Sequence, residues 1–223
     1  VVRNSDGFSP VPAEVPAQVA RVRGVRQVSA MSRVQAKVAG QKDKSKYIAG
    51  IDPGTLGSML KMEFPEGSAA ALRGLTDRQI IVGDSYADEN GVKMGQTLSL
   101  LGPNNRRAAF RVVGVVKDES NQLYPLLITR QALSREFGER RVVDTYATVA
   151  PGTDSAVVER RVSELLKRRY PSAEAFDQAG LIKQQKEQVT PLLGLFYGLL
   201  TLAIVVSLFG IANTLSLSVH ERT

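Results

Sequence analysis

The feature that most constrains this chain is an uncharged stretch close to its C-terminal end. From Gln188 to Val219 the sequence contains no Asp, Glu, Lys or Arg. Its apolar centre, residues 192–217, is longer than the ~20 residues that cross the hydrocarbon core of a bilayer as a helix. A buried helix of a globular protein is the alternative, but such helices rarely stay apolar on every face over this length. We therefore predict a transmembrane helix over 192–217, preceded by a helical stalk over 183–191.

The part before this stretch has the composition of a globular protein. The 223 residues are 43% hydrophobic and 23% charged, which allows one or two domains with a buried core. There is no cysteine, so disulfides, thiolate catalysis and Cys-based metal sites are excluded. The sequence opens without an initiator Met, and we expect it to be a fragment of a longer polypeptide.

The net charge of +7 is concentrated in residues 1–46, which hold nine Lys or Arg against three Asp or Glu. This segment has no nucleic-acid-binding motif, so we expect no nucleic-acid partner. Anionic lipid headgroups, an acidic envelope partner and a merely solvated surface are the remaining interpretations of its charge.

A helix followed by strands is predicted in residues 1–46. Val15, Val19 and Val22 recur at helical spacing, Pro12 or Pro16 suits the start of the helix, and Gly24 suits its end. The alternating apolar residues of 25–38 then predict one or two half-buried strands.

The same order returns in residues 140–182. Thr145–Val149 is a predicted strand, Asp154 is a predicted N-cap, and a short strand is expected after Pro171. The repeated order predicts a duplicated α/β unit. The helix between the strands has an apolar stripe made by Val158, Val162, Leu165 and Leu166.

The intervening residues, 47–139, have a different pattern and predict a small inserted β-rich subdomain. The stretch "YIAGIDPGTLGSML" is rich in turn-forming residues. "IIVGDSY" predicts a strand leading into a short polar helix capped by Asp84 or Ser85. Thr97–Leu101 is predicted to pair with Phe110–Val116 as a hairpin across "GPNNRR".

Ser85 in "VGDS" has the surroundings of an esterase nucleophile, but the chain lacks the rest of that chemistry. A serine nucleophile needs a histidine base, and the only histidine is His220, beyond the predicted span. The paired carboxylates at 88–89 and 118–119 diverge and lack the spacing of a calcium loop. No G-x-x-x-x-G-K-[ST] motif occurs, so we predict no catalytic, cofactor-binding or metal-binding residue in this chain.

Four stretches together resemble the FtsX-like (MacB-type, type VII) ABC transporter permeases. They are "IAGIDPGTL", "QIIVGDSYADENGVKMGQTLSLL", "FRVVGVVKD" and "FYGLLTLAIVVSLFGIANTLSLSVHERT". The family's glycine-rich middle motif aligns with Gly83, Gly91 and Gly95, although Gln96 stands where Asp is usual. The pattern that ends the family's second membrane helix is matched by Gly210, Asn213, Leu215, Ser218, Val219, Glu221 and Arg222.

The resemblance implies an α+β fold with a Porter-like duplicated α/β unit, formed by 1–46 and 140–182. A Sabre-like β-rich subdomain, 47–139, is inserted into it, and one transmembrane helix follows the stalk. It further implies a bacterial cytoplasmic (inner) membrane protein in which residues 1 to about 190 are extracytoplasmic. Residues 218–223 would then begin a cytoplasmic coupling segment.

The function implied by the resemblance is mechanical. A partner ABC ATPase subunit uses ATP and Mg²⁺ and moves the coupling segment, and the membrane helix carries that motion to the extracytoplasmic domain. The other implied partners are a second permease copy or homologue, membrane lipids, and an envelope adaptor or hydrolase. The cargo would be hydrophobic, a peptide or a lipoprotein. The coupling residues are His220, Glu221 and Arg222, and those expected to pack against neighbouring helices are Gly194, Gly198, Gly210 and Asn213.

The sequence is also compatible with a second class of function. An extracytoplasmic sensor domain of a membrane receptor has the same arrangement of a folded domain followed by a single span. Residues beyond Thr223 would discriminate between the two, because a permease continues with further hydrophobic spans and a receptor continues with a signalling linker.

Overall fold

The computed structural model describes residues 1–40, 45–60, 62–118, 123–177 and 194–210. Residues Val1–Ala175 form one compact unit, and Phe176–Thr223 are a second unit. In chain order, the elements of the first unit are β1 (Val2–Asn4), α1 (Val15–Ala20), β2 (Val25–Val38), β3 (Ser45–Ile51), α2 (Pro53–Leu56), β4 (Met62–Glu66), α3 (Ala69–Arg73), β5 (Gln79–Gly83), α4 (Asp84–Asn90), β6 (Thr97–Leu101), β7 (Arg107–Asp118), β8 (Leu126–Thr129), α5 (Arg130–Phe137), β9 (Asp144–Val149), α6 (Ser155–Arg169) and β10 (Ala173–Ala175).

The two ends of the first unit interleave in one antiparallel sheet of order β10-β1-β9-β2. β1-α1-β2 and β9-α6-β10 are both β-α-β motifs. In the sheet, β9 lies between β1 and β2, and β1 lies between β9 and β10. This is the split β-α-β arrangement of ferredoxin-like folds. The predicted helix-then-strand repeat is therefore present, and a short strand precedes it as β1.

Both helices of this split β-α-β unit pack an apolar stripe onto the sheet. Val15 and Val19 of α1 are fully buried, and Pro16 lies in the first turn, where its missing N–H costs no hydrogen bond. The Asp154 side chain accepts a hydrogen bond from the Ala156 N–H at 2.9 Å and caps α6, as predicted. On α6 the predicted stripe is buried at Val158, Val162 and Leu166, whereas Leu165 is only half-buried.

The inserted residues form a closed β-barrel. β2, β3, β8, β5 and β7 pair in that order, and β6 pairs with both β7 and the end of β2, which completes a ring of six strands. Closure removes the unpaired edges that an open sheet of this size would present. The hairpin predicted between residues 97–101 and 110–116 is confirmed as β6–β7, with Leu98 opposite Phe110.

Residues on the two faces of the barrel wall belong to different cores. Ile80 and Val82 point to an interior cluster that α4 and α5 help to fill, while Ile81 lies in an outer cluster with residues of α2 and α3. A wall that is buried on both faces explains why β5 and β8 are continuous apolar runs. The interior cluster, the outer cluster and the core of the split β-α-β unit all lie within Val1–Ala175, so this unit contains its own cores.

Two sequence-based expectations for the insert are wrong. The stretch 47–60 was expected to be rich in turns, but residues 47–51 belong to β3, and the small Gly50 is needed because a Cβ there would lie 2.8 Å from Leu133 Cδ2. The helix after "IIVG" is not capped by Asp84 or Ser85. It begins at Asp84 itself, and the N-cap position is Gly83, which has no side chain to offer.

Residues 194–210 are helical. Within the described ranges no helix combines the length and the apolar character needed to cross a membrane. The rest of the predicted span, at 192–193 and 211–217, lies outside the described residues, and the transmembrane helix stays a prediction. The α+β fold class is confirmed, whereas the domain boundaries inferred from the sequence stay predictions.

Candidate functional site

The residues predicted to couple the chain to an ATPase, His220, Glu221 and Arg222, lie outside the described residues. Asn213, predicted to pack against a neighbouring helix, also lies outside them. The roles of these four residues therefore stay predictions from the sequence.

The three glycines predicted to allow close helix packing lie on the helix at 194–210. A Cβ added to Gly194, Gly198 or Gly210 would have no atom of the described residues within 4 Å. Their role in helix packing stays a prediction.

Ser85 lines a surface cavity of about 320 Å³ at the end of β5. Its hydroxyl lies 3.4 Å from Asp84 Oδ1, and the described residues around the cavity include no histidine that could act as its base. Across the described parts of the chain there is also no group of three or more His, Cys, Asp or Glu side chains that could hold a metal ion.

The most elaborate arrangement of polar side chains lies instead at the junction between the split β-α-β unit and the barrel. β2 belongs to both, because residues 25–31 pair with β9 and residues 32–37 pair with β3. One uninterrupted strand thus connects the two parts through its covalent chain and through ladders on both sides.

Arg33 lies on β2 at this junction, surrounded by three aromatic rings. Its guanidinium carbon is 6.0 Å from the ring centre of Phe8, 5.2 Å from that of Tyr47 and 5.5 Å from that of Tyr124. These distances are within the range of cation–π attraction. Phe8 belongs to the loop after β1, whereas Tyr47 and Tyr124 belong to the barrel, so the arginine contacts both parts.

Hydrogen bonds hold the same guanidinium in place. Arg33 Nη1 donates to the Tyr124 hydroxyl, and Nη2 donates to the Phe8 carbonyl oxygen at 2.9 Å. Burial raises the pKa of the Tyr124 phenol above its usual value, and the hydrogen bond from Arg33 opposes that shift. The phenol therefore stays protonated at neutral pH and its oxygen remains an acceptor for the guanidinium.

A buried ion pair lies beside Arg33. Asp144, the first residue of β9, is 2% exposed, and its Oδ1 is 2.9 Å from Arg3 Nε. Burial raises the pKa of the Asp144 carboxyl, and the positive charges of Arg3 and Arg33 counteract this rise. A buried carboxylate is tolerated only with such partners, because isolated burial of its charge is very costly.

Polar side chains continue along this boundary. Ser29 and Ser32 on β2 and Thr145 on β9 are almost fully buried, at 1%, 1% and 0% exposure. Together with Asp144 they form a polar layer between the core of the split β-α-β unit and the cores of the barrel. Ser29 Oγ accepts a hydrogen bond from Thr55 Oγ1 at 2.9 Å, whereas Ser32 Oγ and Thr145 Oγ1 have no hydrogen-bond partner among the described residues.

The sequence carried no distinct signal for this junction. In "SAMSRVQAKV", Arg33, Gln35 and Lys37 alternate with apolar residues, which is the ordinary pattern of a half-buried strand. The aromatic partners are distant in the chain, so the pattern of β2 alone does not identify them.

The fold and the junction define a class of protein: an α+β domain in which a split β-α-β sheet carries an inserted β-barrel on a shared strand. The sequence model of the MacB-like periplasmic core domain matches residues 1–165. The chain belongs to this family of MacB-like periplasmic core domains.

Solved structures of similar fold agree with this assignment. The periplasmic region of MacB from Actinobacillus actinomycetemcomitans has a TM-score of 0.59 at 16% identity, covering 83% of this chain and 91% of that one. The extracellular domain of the noncanonic ABC-type transporter YknZ from Gram-positive bacteria has a TM-score of 0.54 at 15% identity, covering 75% and 90%. A domain of a permease protein from Porphyromonas gingivalis has a TM-score of 0.51 at 17% identity, covering 79% and 89%. No curated protein matches the sequence closely enough to count as a relative.

Proposed function

We propose that this chain is the extracytoplasmic domain and the second membrane helix of an ABC transporter permease. The family membership supports the domain, and the uncharged stretch at 188–219 supports the membrane helix. In this proposal the chain is not an enzyme. A partner ATPase hydrolyses ATP with Mg²⁺ in the cytoplasm, and the permease works with a second copy or a homologue.

The mechanical part of the proposal rests on β2, the strand that the split β-α-β unit and the barrel share. β2 enters the barrel from the split β-α-β sheet without a break between residues 27 and 37, and Arg33 adds contacts to both parts. A displacement of the split β-α-β unit would therefore move the barrel with it rather than bend a linker. The barrel would deliver that motion to a hydrophobic, peptide or lipoprotein cargo, or to an envelope adaptor or hydrolase.

The test begins with the full-length protein and its ATPase. Affinity-tagged protein is purified from the membrane, and bound ABC ATPase and Mg²⁺-dependent ATP hydrolysis are measured with the extracytoplasmic domain present and deleted. We expect co-purification in both cases and an altered hydrolysis rate after deletion. Absence of an associated ATPase would refute the permease and favour the receptor alternative.

A variant pair tests the mechanical step. Arg33→Met removes the guanidinium from the junction, whereas Arg107→Met removes an exposed arginine of β7 that lies on the barrel. We expect Arg33→Met to change the effect of the domain on ATP hydrolysis while Arg107→Met leaves it unchanged. Equal behaviour of the two variants would contradict transmission through the junction.

A further inference from the structure

The turn that follows β1, residues 5–9, is held in shape by an aspartate side chain. Asp6 Oδ1 accepts hydrogen bonds from the backbone N–H groups of Phe8 at 2.7 Å and Ser9 at 2.8 Å, and Oδ2 accepts one from the Ser9 hydroxyl. Aspartate closes many turns in this way. Gly7 has φ +72°, a left-handed conformation that glycine adopts without strain. Asp6 and Gly7 therefore fix the conformation of this turn.

Burial of apolar surface contributes little to holding the turn. The Phe8 side chain is 68% exposed, more than that of any other large hydrophobic residue described in the first unit. The hydrophobic effect grows with the apolar area removed from water, so this ring is a poor anchor. The chain around the turn is fastened to the split β-α-β unit instead. The Ser5 N–H donates to the Ser172 carbonyl oxygen at 2.8 Å. Farther along, the Val11 N–H donates to the Val142 carbonyl oxygen at 2.8 Å.

The turn meets the Arg33 guanidinium through its own backbone. Arg33 Nη2 donates to the Phe8 carbonyl oxygen at 2.9 Å and, more weakly, to the Gly7 carbonyl oxygen at 3.5 Å. The other terminal nitrogen, Nη1, donates to the hydroxyl of Tyr124 on the barrel side. One side chain thus connects the backbone of the turn to the barrel. A backbone carbonyl has no torsion of its own to adjust, so it meets Arg33 only when the turn has the right conformation.

We infer that the turn at residues 5–9 is a clasp that fastens the split β-α-β unit to the barrel through Arg33, and that Asp6 positions this clasp. Asp6 acts at one remove, because it fixes the turn and the turn presents the Phe8 carbonyl oxygen to the guanidinium. The inference does not depend on the proposed permease function, since all of these contacts lie within Val1–Ala175.

Direct attraction between the charges of Asp6 and Arg33 is the alternative. Hydrogen bonds from Ser9 and Phe8 lower the pKa of the Asp6 carboxyl below its ordinary value, and the charge of Arg33 makes the smallest contribution to this lowering. The carboxylate is therefore ionised at neutral pH, and its closest partners are the groups of its own turn. This order of contributions favours positioning over direct attraction.

The test separates the two by the choice of substitution at Asp6. Asp6→Ala removes both the acceptor and the charge, whereas Asp6→Asn removes the charge and keeps an acceptor oxygen for the two backbone N–H groups. Asp154→Ala is the matched control, because it removes an aspartate acceptor from the start of α6 in the same unit. Each variant of the fragment 1–177, which contains its own cores, is combined with Arg33→Met. Urea denaturation then gives the unfolding equilibrium constants.

In the wild type, Arg33→Met should raise the unfolding equilibrium constant roughly 150-fold, as its hydrogen bonds and ring contacts are lost. In the Asp6→Ala background we expect this factor to be about tenfold smaller, because the Phe8 carbonyl oxygen is no longer held for the guanidinium. It should be unchanged in the Asp6→Asn and Asp154→Ala backgrounds. Hydrogen exchange gives a local measurement. Protection of the Phe8 and Ser9 N–H groups, corrected for the intrinsic rate of each sequence, should fall about tenfold in Asp6→Ala and stay near the wild type in Asp6→Asn.

Two results would overturn the inference. An Arg33→Met effect that is the same in the wild type and in Asp6→Ala would show that the turn and Arg33 are independent. A reduction in Asp6→Asn as large as that in Asp6→Ala would show that charge attraction, not positioning, connects them. If Asp6→Ala does not fold, Gly7→Ala takes its place, because alanine at φ +72° strains the same turn and leaves the carboxylate in place. The same tenfold reduction is then expected, and its absence refutes the clasp.

Discussion

Replacing Arg33 by methionine is the most direct test of how the two parts of the domain are held together. Methionine keeps the length of the aliphatic chain and removes the guanidinium. The change therefore deletes the hydrogen bonds to the Tyr124 hydroxyl and the Phe8 carbonyl oxygen, together with three ring contacts at 5.2–6.0 Å.

The magnitude follows from these contacts. A hydrogen bond from a charged donor contributes about 1.5–3 kcal/mol, and an exposed cation–π contact about 0.5–1 kcal/mol. Arg33 is half-buried, and its contacts share one side chain, so they do not add fully. We expect Arg33→Met to lower the free energy of unfolding by about 3 kcal/mol, which for a domain of this size lowers the melting temperature by roughly 6–12 °C.

Urea denaturation of the fragment 1–177 measures this loss, and a double-mutant cycle with Tyr124→Phe assigns it. The cycle should give a coupling energy of about 1–2 kcal/mol between the two side chains. Arg107→Met, an exposed change on β7, should stay within about 0.5 kcal/mol of the wild type. Our account of the junction would be refuted by an Arg33→Met variant as stable as this control, or by a coupling energy of zero.

Two further predictions concern the buried carboxyl and a glycine in the barrel. Because burial raises the pKa of Asp144, its contribution to stability is fully present below the ordinary value near 3.8 and is lost as the pH rises through the raised folded value. The unfolding free energy of the wild type minus that of Asp144→Asn, measured in urea at several pH values, should therefore fall as the pH increases; a rise would contradict this. Gly67 has φ +87°, and a Cβ there would lie 2.9 Å from Gly114 Cα and from the Val113 carbonyl oxygen. Gly67→Ala should cost at least about 2 kcal/mol more than Gly91→Ala, whose φ is also positive but whose Cβ would meet no described atom within 4 Å; equal melting temperatures would count against this.

Local signals predicted those elements whose stability is decided locally. Asp154 and the apolar stripe from Val158 to Leu166 predicted α6, because a cap and a 3.6-residue period act within one helix. The β6–β7 hairpin was predicted for the same reason, since its turn and both strands are contiguous in the chain.

The missed elements depend on contacts that are distant in sequence. β1 has only three residues, too few to show a period, and exists because β9 and β10 pair with it on both sides. β3 was missed because its stretch of sequence contains Gly50, and glycine is typical of turns. The glycine is required there because Leu133 packs directly against it. Closure of the barrel through the pairing of Lys37 with Leu101 likewise has no local signature.

The candidate junction was missed for a related reason. In the sequence Arg33 alternates with apolar residues just as Gln35 and Lys37 do, and its partners Phe8, Tyr47 and Tyr124 come from three separate stretches of chain. The coupling residues and helix-packing residues predicted from the family resemblance lie in the other unit of the chain and stay predictions.

The chemistry of the junction differs from that of the cores in a way that bears on the proposed mechanical function. An apolar interface tolerates sliding, because its attraction depends on area rather than on direction. The contacts of Arg33 and Asp144 do not, since a small displacement would break the hydrogen bonds from Arg33 to Tyr124 and Phe8 and the Asp144–Arg3 pair, and a buried group left unpaired costs about 1–3 kcal/mol. In the proposed mechanical function, a domain that receives force at its split β-α-β unit and delivers it at its barrel would need this resistance to displacement more than additional stability.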